Sequence, residues 1–192
     1  MIKLSAGVLK KIVPFISDQN LQTYTPLLND AFIQFEINRK ERVACFLSQL
    51  AHESGSFRYT KEIASGEAYE GRKDLGNIVA GDGIKFKGRG LIQVTGRNNY
   101  RDCSLYLFKD ERLLTNPEIL ETPELALKSA CWYWQSRKLN EIADKDKSWS
   151  IVLKGKLRSK FEALTIKING GLNGYQDRLE FYKRCQSFLL ES

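Results

Sequence analysis

Apolar residues recur at three- and four-residue intervals through much of this chain, the period of helices that bury one face. Leu4, Val8, Leu9, Ile12 and Val13 form one such stripe, and Val43, Phe46, Leu47 and Leu50 form another at i, i+3, i+4 and i+7. A threonine followed by proline suits the cap and first turn of a helix. Thr25-Pro26 therefore predicts a helix starting near Leu27, and Thr122-Pro123-Glu124 predicts one running to about Lys138. The inner stripe of the latter is Ala126, Ala130, Tyr133 and Trp134, read as core rather than as a platform for a sugar. Phe161, Leu164 and Ile168 lead to a helix end at Asn169-Gly170-Gly171, and Leu179, Tyr182, Phe188 and Leu189 mark a last packed helix.

The helical period lapses between Gly66 and Gly88, where Gly71, Gly76, Gly81 and Gly83 predict a loop that walls a cleft. Beyond it, Gly88-Arg89-Gly90-Leu91-Ile92-Gln93-Val94-Thr95-Gly96 alternates briefly, with Leu91 on one face of a strand and Ile92 and Val94 on the other. This run is too short to be a sheet by itself, and alone it is more often a β-turn than a site. Gln93, Thr95, Asn99 and Tyr100 supply neutral donors, acceptors and aromatic surface, which suit sugar hydroxyl and acetamido groups better than phosphate. No phosphate-binding glycine motif of the GxxxxGK[ST] or GxGxxG kind is present.

Two carboxylates stand ahead of this block. At about 100° per residue, Glu53 falls in line with Phe46 and Leu50 while His52 points away. Glu53 lies near the expected helix end, because Ser54-Gly55-Ser56 follows and a glycine there suits a left-handed cap. Partial desolvation and the negative end of the helix dipole both favour the protonated carboxyl that a general acid needs. On an unbroken helix Glu62 would emerge opposite Glu53, and the break at Gly55 lets the chain turn back. Lys61, Arg72 and Lys73 are candidate cations for keeping Glu62 ionised. Opposed protonation states are the division of labour in a glycosidase pair, although each glutamate alone also fits an ordinary surface position. His52 is expected to make a structural hydrogen bond rather than to shuttle protons.

The 192 residues suffice for one core. With 30 Lys and Arg against 23 Asp and Glu the net charge is +7. The positive charge gathers from Arg137 to Lys160, where after position 144 Lys145, Lys147, Lys154, Lys156, Arg158 and Lys160 face one acid, Asp146. One reading of this run is a solvated face; the functional alternative is attraction to an anionic cell envelope, with nucleic acid the rival partner and not expected. Cys45, Cys103, Cys131 and Cys185 are widely spaced and His52 is the sole histidine, so neither a metal nor another cofactor is expected; an even cysteine count leaves disulfides open. Lys10-Lys11 interrupts the first apolar stripe and no small-residue cleavage site follows, so no secretory signal is read, nor any segment of membrane-spanning length. No repeat or low-complexity linker suggests a separate binding module.

Five ordered motifs carry a resemblance. They are Ala51-His52-Glu53-Ser54-Gly55-Ser56-Phe57-Arg58-Tyr59, the block from Gly81-Asp82-Gly83 to Tyr100, Ala130-Cys131-Trp132-Tyr133-Trp134, Ile168-Asn169-Gly170-Gly171-Leu172-Asn173-Gly174, and Gln176-Asp177-Arg178-Leu179-Glu180-Phe181-Tyr182. Across residues 40–185 the chain resembles glycoside hydrolase family 19, the chitinase-like family, and most closely its bacteriophage endolysin branch. The resemblance implies a mainly α, lysozyme-like or chitinase-like bilobal domain with a short β-hairpin or small sheet beside the cleft. It implies a single catalytic domain over residues 1–192, with a basic helical segment at about 137–160 in one lobe, acting as a monomer. Glu53 then matches the general acid, Glu62 the general base, and Thr95 the hydroxyl that helps hold the attacking water. Gln93, Asn99, Asn169 and Arg178 match polar residues that bind sugar or hold the second carboxylate, with Tyr100 a further substrate contact.

Relatives of this kind invert the anomeric centre, which fits carboxyls about 6.5–9.5 Å apart with water between them. Asn98 stands where plant members usually have an aromatic residue, and Thr95 where they have serine. The implied substrate is the glycan strand of peptidoglycan, with chitin, a lytic transglycosylase reaction and a silent wall-binding role as alternatives. An endolysin of this type would wait in the host cytoplasm for a holin-like pore-forming partner.

Overall fold

The computed structural model describes residues 2–189 and is mostly helical. In chain order the helices are α1 (Ala6–Ile12), α2 (Asp18–Gln34), α3 (Lys40–Glu53), α4 (Asp82–Lys85), α5 (Arg97–Phe108), α6 (Arg112–Thr115), α7 (Pro123–Ser136), α8 (Leu139–Ala143), α9 (Lys160–Asn169) and α10 (Tyr175–Phe188). Among the described residues the one sheet is an antiparallel pair, β1 (Ser150–Leu153) and β2 (Lys156–Ser159). Short 3-10 turns occupy Glu67–Tyr69, Lys73–Leu75 and Pro117–Glu121. The chain divides into two compact units: one holds the residues up to His52 and those from Trp134 onward, the other is Glu53–Tyr133.

In the first unit, α1 buries Leu9 and Ile12 from the expected stripe, flanked by buried Leu4 and Val13, while Val8 is half-buried. Helix α2 begins at Asp18 rather than near Leu27, because the Ser17 side chain accepts from the Asn20 N–H and caps it earlier. Pro26 thus lies inside the helix, where it removes one backbone donor. Hydrogen bonds from the Thr25 hydroxyl to the Leu21 carbonyl (2.6 Å) and from Asn29 Nδ2 to the Thr25 carbonyl (3.0 Å) brace that turn. Helix α3 is buried without interruption from Val43 to Ala51, more than the single stripe predicts, as suits a central helix. Its polar members are satisfied: Ser48 donates to the Cys45 carbonyl, and Gln49 Nε2 donates to Thr165 Oγ1. Phe46 meets Trp134 edge-on, with ring centroids 5.3 Å apart.

The basic stretch 137–160 is not the helical segment expected. Helix α8 ends at Ala143, and an irregular stretch leads into the β1–β2 hairpin. Lys154 and Gly155 both take positive φ, 50° and 72°, between the paired residues Leu153 and Lys156. That is the two-residue turn whose twist matches a hairpin, and Ile151 and Val152 are β-branched residues that favour strands. Lys160 is buried, pairs with Glu41 at 2.7 Å and donates to the carbonyls of Ala143 and Lys145. Burial pushes the Glu41 carboxyl up, but hydrogen bonds from Lys160, Tyr182 and Gln186 outweigh it and hold it below the usual carboxylate range. Ser159 and Glu162 form a capping box at the start of α9. The buried line of α10 is Arg178, Phe181 and Cys185, followed by Leu189; Leu179, Tyr182 and Phe188 are only half-buried.

In the second unit, Phe57, Phe86, Leu91, Val94, Tyr100, Cys103, Leu113, Leu120 and Leu127 are buried. The run Gly88–Thr95 is a turn and not a strand. Gly90 (φ 78°) and Gln93 (φ 56°) are left-handed, so the alternating residues cannot stay extended. Arg89 and Val94 exchange backbone hydrogen bonds on either side of the turn, and Arg89 also bridges to Lys61. Gly90 must be glycine on a second count: a Cβ there would lie 2.3 Å from Ser129 Oγ. All four cysteines are buried and free, so no disulfide forms. No described helix is long and apolar enough to cross a membrane.

Candidate active site

Glu53 is the last residue of α3 and is half-buried. The expected break follows it. Gly55, Ser56 and Phe57 have φ of 56°, 64° and 65°, a left-handed run that costs energy at the two residues carrying side chains. Local hydrogen bonds fix it: Ser54 Oγ accepts from the Phe57 N–H at 2.8 Å, and the Ser54 carbonyl accepts from the N–H groups of Arg58 and Tyr59. The Phe57 ring, 1 % exposed, anchors the turn in the core. The chain leaves it towards Thr60, whose carbonyl accepts from the Gly90 N–H.

That pairing delivers Glu62 to the Gly88 turn. The Glu62 N–H donates to the Gly88 carbonyl, and Glu62 Oε2 accepts from the Gly88 N–H, both at 2.9 Å. The second carboxylate oxygen, Oε1, accepts from the Tyr69 hydroxyl at 2.9 Å. Two of the three cations proposed for Glu62 are engaged elsewhere: Lys61 pairs with Glu121 (3.3 Å) and Arg72 with Asp74 (2.6 Å). Glu62 is therefore seated by two neutral donors rather than by a cation. Burial first, and then the bond to Glu62, push the Tyr69 phenol up, so that it stays a donor.

Tyr69 is held by the loop, and the loop is tied down. Asn77, fully buried, donates to the Tyr69 carbonyl (2.8 Å) and accepts from the Arg97 N–H (2.9 Å). Asp82, 2 % exposed, accepts from Arg97 Nε and Nη2 in a two-pronged pair. Glu70 accepts from the N–H groups of Gly81 and Gly83. The glycine-rich stretch 66–88 is an ordered, cross-linked loop.

Gln93, Thr95 and Asn99 form a connected row beside Glu62. A Cβ built on Gly88 would lie 2.7 Å from Gln93 Oε1 and 3.1 Å from Glu62 Oε2, so both side chains converge on that glycine. Gln93 Nε2 donates to the Gly90 carbonyl, Thr95 Oγ1 to the Gln93 carbonyl at 2.9 Å, and Asn99 Nδ2 to the Thr95 carbonyl at 2.7 Å. Tyr100 departs from the expected substrate contact. Its ring is fully buried against Phe86, and its hydroxyl donates to the Lys87 carbonyl and accepts from Arg89, so it packs the turn from beneath.

His52, Asn169 and Arg178 belong to the other unit. There His52 Nδ1 lies 2.7 Å from Asp177, the structural bond expected. Arg178 is buried and donates to Gln49 Oε1 (2.6 Å) and to the Asn173 carbonyl, a position for holding structure and not for reaching sugar. Asn169 closes α9 exposed, before Gly170 in the left-handed cap position. Tyr69 and Gly88, which hold Glu62, and Asn77, which holds Tyr69, are the positions that pattern reading missed. Gly88 alone left a signal, as the glycine that opens the polar block.

Comparison with known proteins identifies the family. Residues 31–190 match the family described as class I chitinase, glycoside hydrolase family 19. A glycosyl hydrolase family 19 domain-containing protein of Haemophilus influenzae is 29 % identical over 175 residues, spanning 75 % of this chain and 78 % of that protein. An endochitinase of Arabidopsis thaliana is 32 % identical over 150 residues, covering 74 % of this chain and 46 % of its own length. The chain thus spans most of the bacterial relative and about half of the plant one. Among solved structures, chitinase C of Streptomyces griseus superposes with a TM-score of 0.73 at 22 % identity, covering 98 % of this chain and 93 % of that one. The class IV chitinase of Zea mays superposes with a TM-score of 0.64, also at 22 % identity, covering 95 % and 89 %. With a family match over residues 31–190, the chain belongs to glycoside hydrolase family 19, the class I chitinases.

Proposed function

We propose that the protein hydrolyses β-1,4 glycosidic bonds with inversion, with Glu53 as general acid and Glu62 as general base, and that its substrate is the glycan strand of bacterial peptidoglycan. The observation that carries the chemistry is the seat of Glu62. Each of its oxygens accepts from a neutral donor, and among the described residues no cation pairs with it, an arrangement that suits a base. Glu53 transfers its proton to the glycosidic oxygen as the C–O bond breaks, Glu62 takes a proton from water, and the water oxygen bonds to the anomeric carbon from the opposite face. Thr95 has its hydroxyl proton directed to the Gln93 carbonyl, which leaves its oxygen as an acceptor for that water. Gln93 and Asn99 line the same row and bind acetamido or hydroxyl groups.

The net charge of +7 supports peptidoglycan, whose peptides are anionic. In this reading the enzyme is a phage-type endolysin that reaches the wall through a separate holin-like pore. A second reading, chitin, is favoured by the endochitinases among the relatives. Mass spectrometry of products from purified peptidoglycan decides. Reducing ends that have gained water support hydrolysis, 1,6-anhydro ends overturn it, and soluble oligomers from chitin alone transfer the assignment to the second reading. Glu53→Gln is expected to abolish turnover with glycan binding retained, and Glu62→Gln to cost about 10²–10⁴-fold. Unchanged rates in either variant remove that residue from the mechanism.

A further inference from the structure

The β1–β2 hairpin carries a feature that glycan hydrolysis does not use. Val152 and Leu157 are directly paired across the strands, so they share one face, and they are 65 % and 69 % exposed. Ile151 and Leu153, on the opposite face of β1, line a cavity of about 240 Å³ with Ile142 and Trp149, where Lys138 and Lys167 stand beside Glu141. The face bearing Val152 and Leu157 is apolar, while the other sets Arg158 and Lys156 opposite Ile151 and Leu153. The flanking charge is cationic. Lys160, Arg158 and Lys154 are committed to Glu41, Glu162 and the Gly170 carbonyl. Among the described residues Lys145, Lys147 and Lys156 are exposed and enter no ion pair.

We propose that this hairpin docks on a bilayer surface bearing anionic phospholipid. A soluble polyanion would neutralise the lysines but leave Val152 and Leu157 in water. A membrane interface accepts both, since aliphatic side chains enter the acyl boundary while ammonium groups meet phosphate, and tryptophan is enriched at that level. The inference is independent of the catalytic reading, because none of these residues belongs to the unit that holds Glu53 and Glu62.

The test is co-sedimentation of the full chain with vesicles of mixed phosphatidylglycerol and phosphatidylethanolamine, against pure phosphatidylcholine. Binding is expected to the anionic vesicles and to weaken with salt. Replacing Lys145, Lys147 and Lys156 by Gln should lower partitioning by about a hundredfold, at about fivefold per lysine. The double variant Val152→Ser with Leu157→Ser should lower it by about tenfold or more. Because these side chains are exposed, both variants should keep the parent melting temperature and its rate on a soluble oligosaccharide. Absence of binding to anionic vesicles at low salt overturns the proposal. So does binding that the aliphatic variant leaves unchanged, and so does retention on purified wall glycan without retention on vesicles. A chain that hydrolyses no glycan but passes the vesicle test refutes the catalytic reading alone.

Discussion

At the scale of single residues, the site depends on what holds Glu62. Tyr69 and the Gly88 N–H contact its two oxygens separately, so each can be removed alone. A hydrogen bond to a charged group is worth about 1.5–3 kcal/mol, or roughly ten- to a hundredfold in rate. Tyr69→Phe is therefore expected to lower kcat by about that factor with little change in KM or melting temperature, and a kcat equal to that of the parent would show that the phenol does not position the base. Gly88→Ala acts by crowding. The new methyl would lie 2.7 Å from Gln93 Oε1 and 3.1 Å from Glu62 Oε2, so both must shift, and a 1 Å displacement of a catalytic group can cost about a hundredfold. Steady-state kinetics on a soluble oligosaccharide check it. The two glutamates differ in how far they were readable. Glu53 ends an amphipathic helix before Ser54-Gly55-Ser56, and both the stripe and the cap are visible in sequence. Glu62 follows no periodicity, because its place is set by pairing with Gly88, 26 residues away. The break at Gly55 and the resemblance singled it out, but not its seat, and two of its three candidate cations, Lys61 and Arg72, have other partners.

At the scale of elements, the loop 66–88 is held by polar staples, with buried Phe86 as its apolar anchor. The Asp82–Arg97 pair is the strongest of them, since Asp82 is nearly inaccessible and accepts two hydrogen bonds. Breaking such a pair from one side costs about 3 kcal/mol, so Asp82→Asn is expected to lower stability by that amount and to loosen Tyr69, giving a fall in kcat beside the fall in melting temperature. The pair also makes the protein acid-labile in a defined sense. Arg97 holds the Asp82 carboxyl below its usual range, so the folded state binds this proton less readily than the unfolded chain, whose value is about 3.9. The contribution is complete above that value and is lost as pH falls from about 4 towards the depressed folded value. Chemical denaturation of parent and Asp82→Asn from about pH 6 to about pH 3 should show the stability difference narrowing as the pH drops. A constant difference would argue against the pair. Elements whose order comes from backbone conformation were the hardest to anticipate. The Gly88–Thr95 alternation suggested a strand, yet left-handed Gly90 and Gln93 bend it into a turn. The β1–β2 hairpin was hidden inside a basic run, although Ile151-Val152 followed by Lys154-Gly155 carried its signature.

At the scale of the whole molecule, the excess of positive charge separates attraction to a polymer from chemistry on a bond. A net charge of +7 raises the local concentration of an anionic wall around the protein, an effect that falls off over the Debye length, about 10 Å at 0.1 M salt and 3 Å at 1 M. The bonds that seat Glu62 are local and short, and half-burial screens them far less than charges spread over a surface. The two contributions should therefore separate when salt is varied. On peptidoglycan, kcat/KM is expected to fall steeply as ionic strength rises, through KM, while on a neutral soluble oligosaccharide of N-acetylglucosamine it should stay nearly level. Parallel decline on both substrates would place the salt sensitivity in the site itself. A level response on both would mean that the surface charge takes no part in reaching the wall, and the preference for an anionic polymer over chitin would lose its physical support.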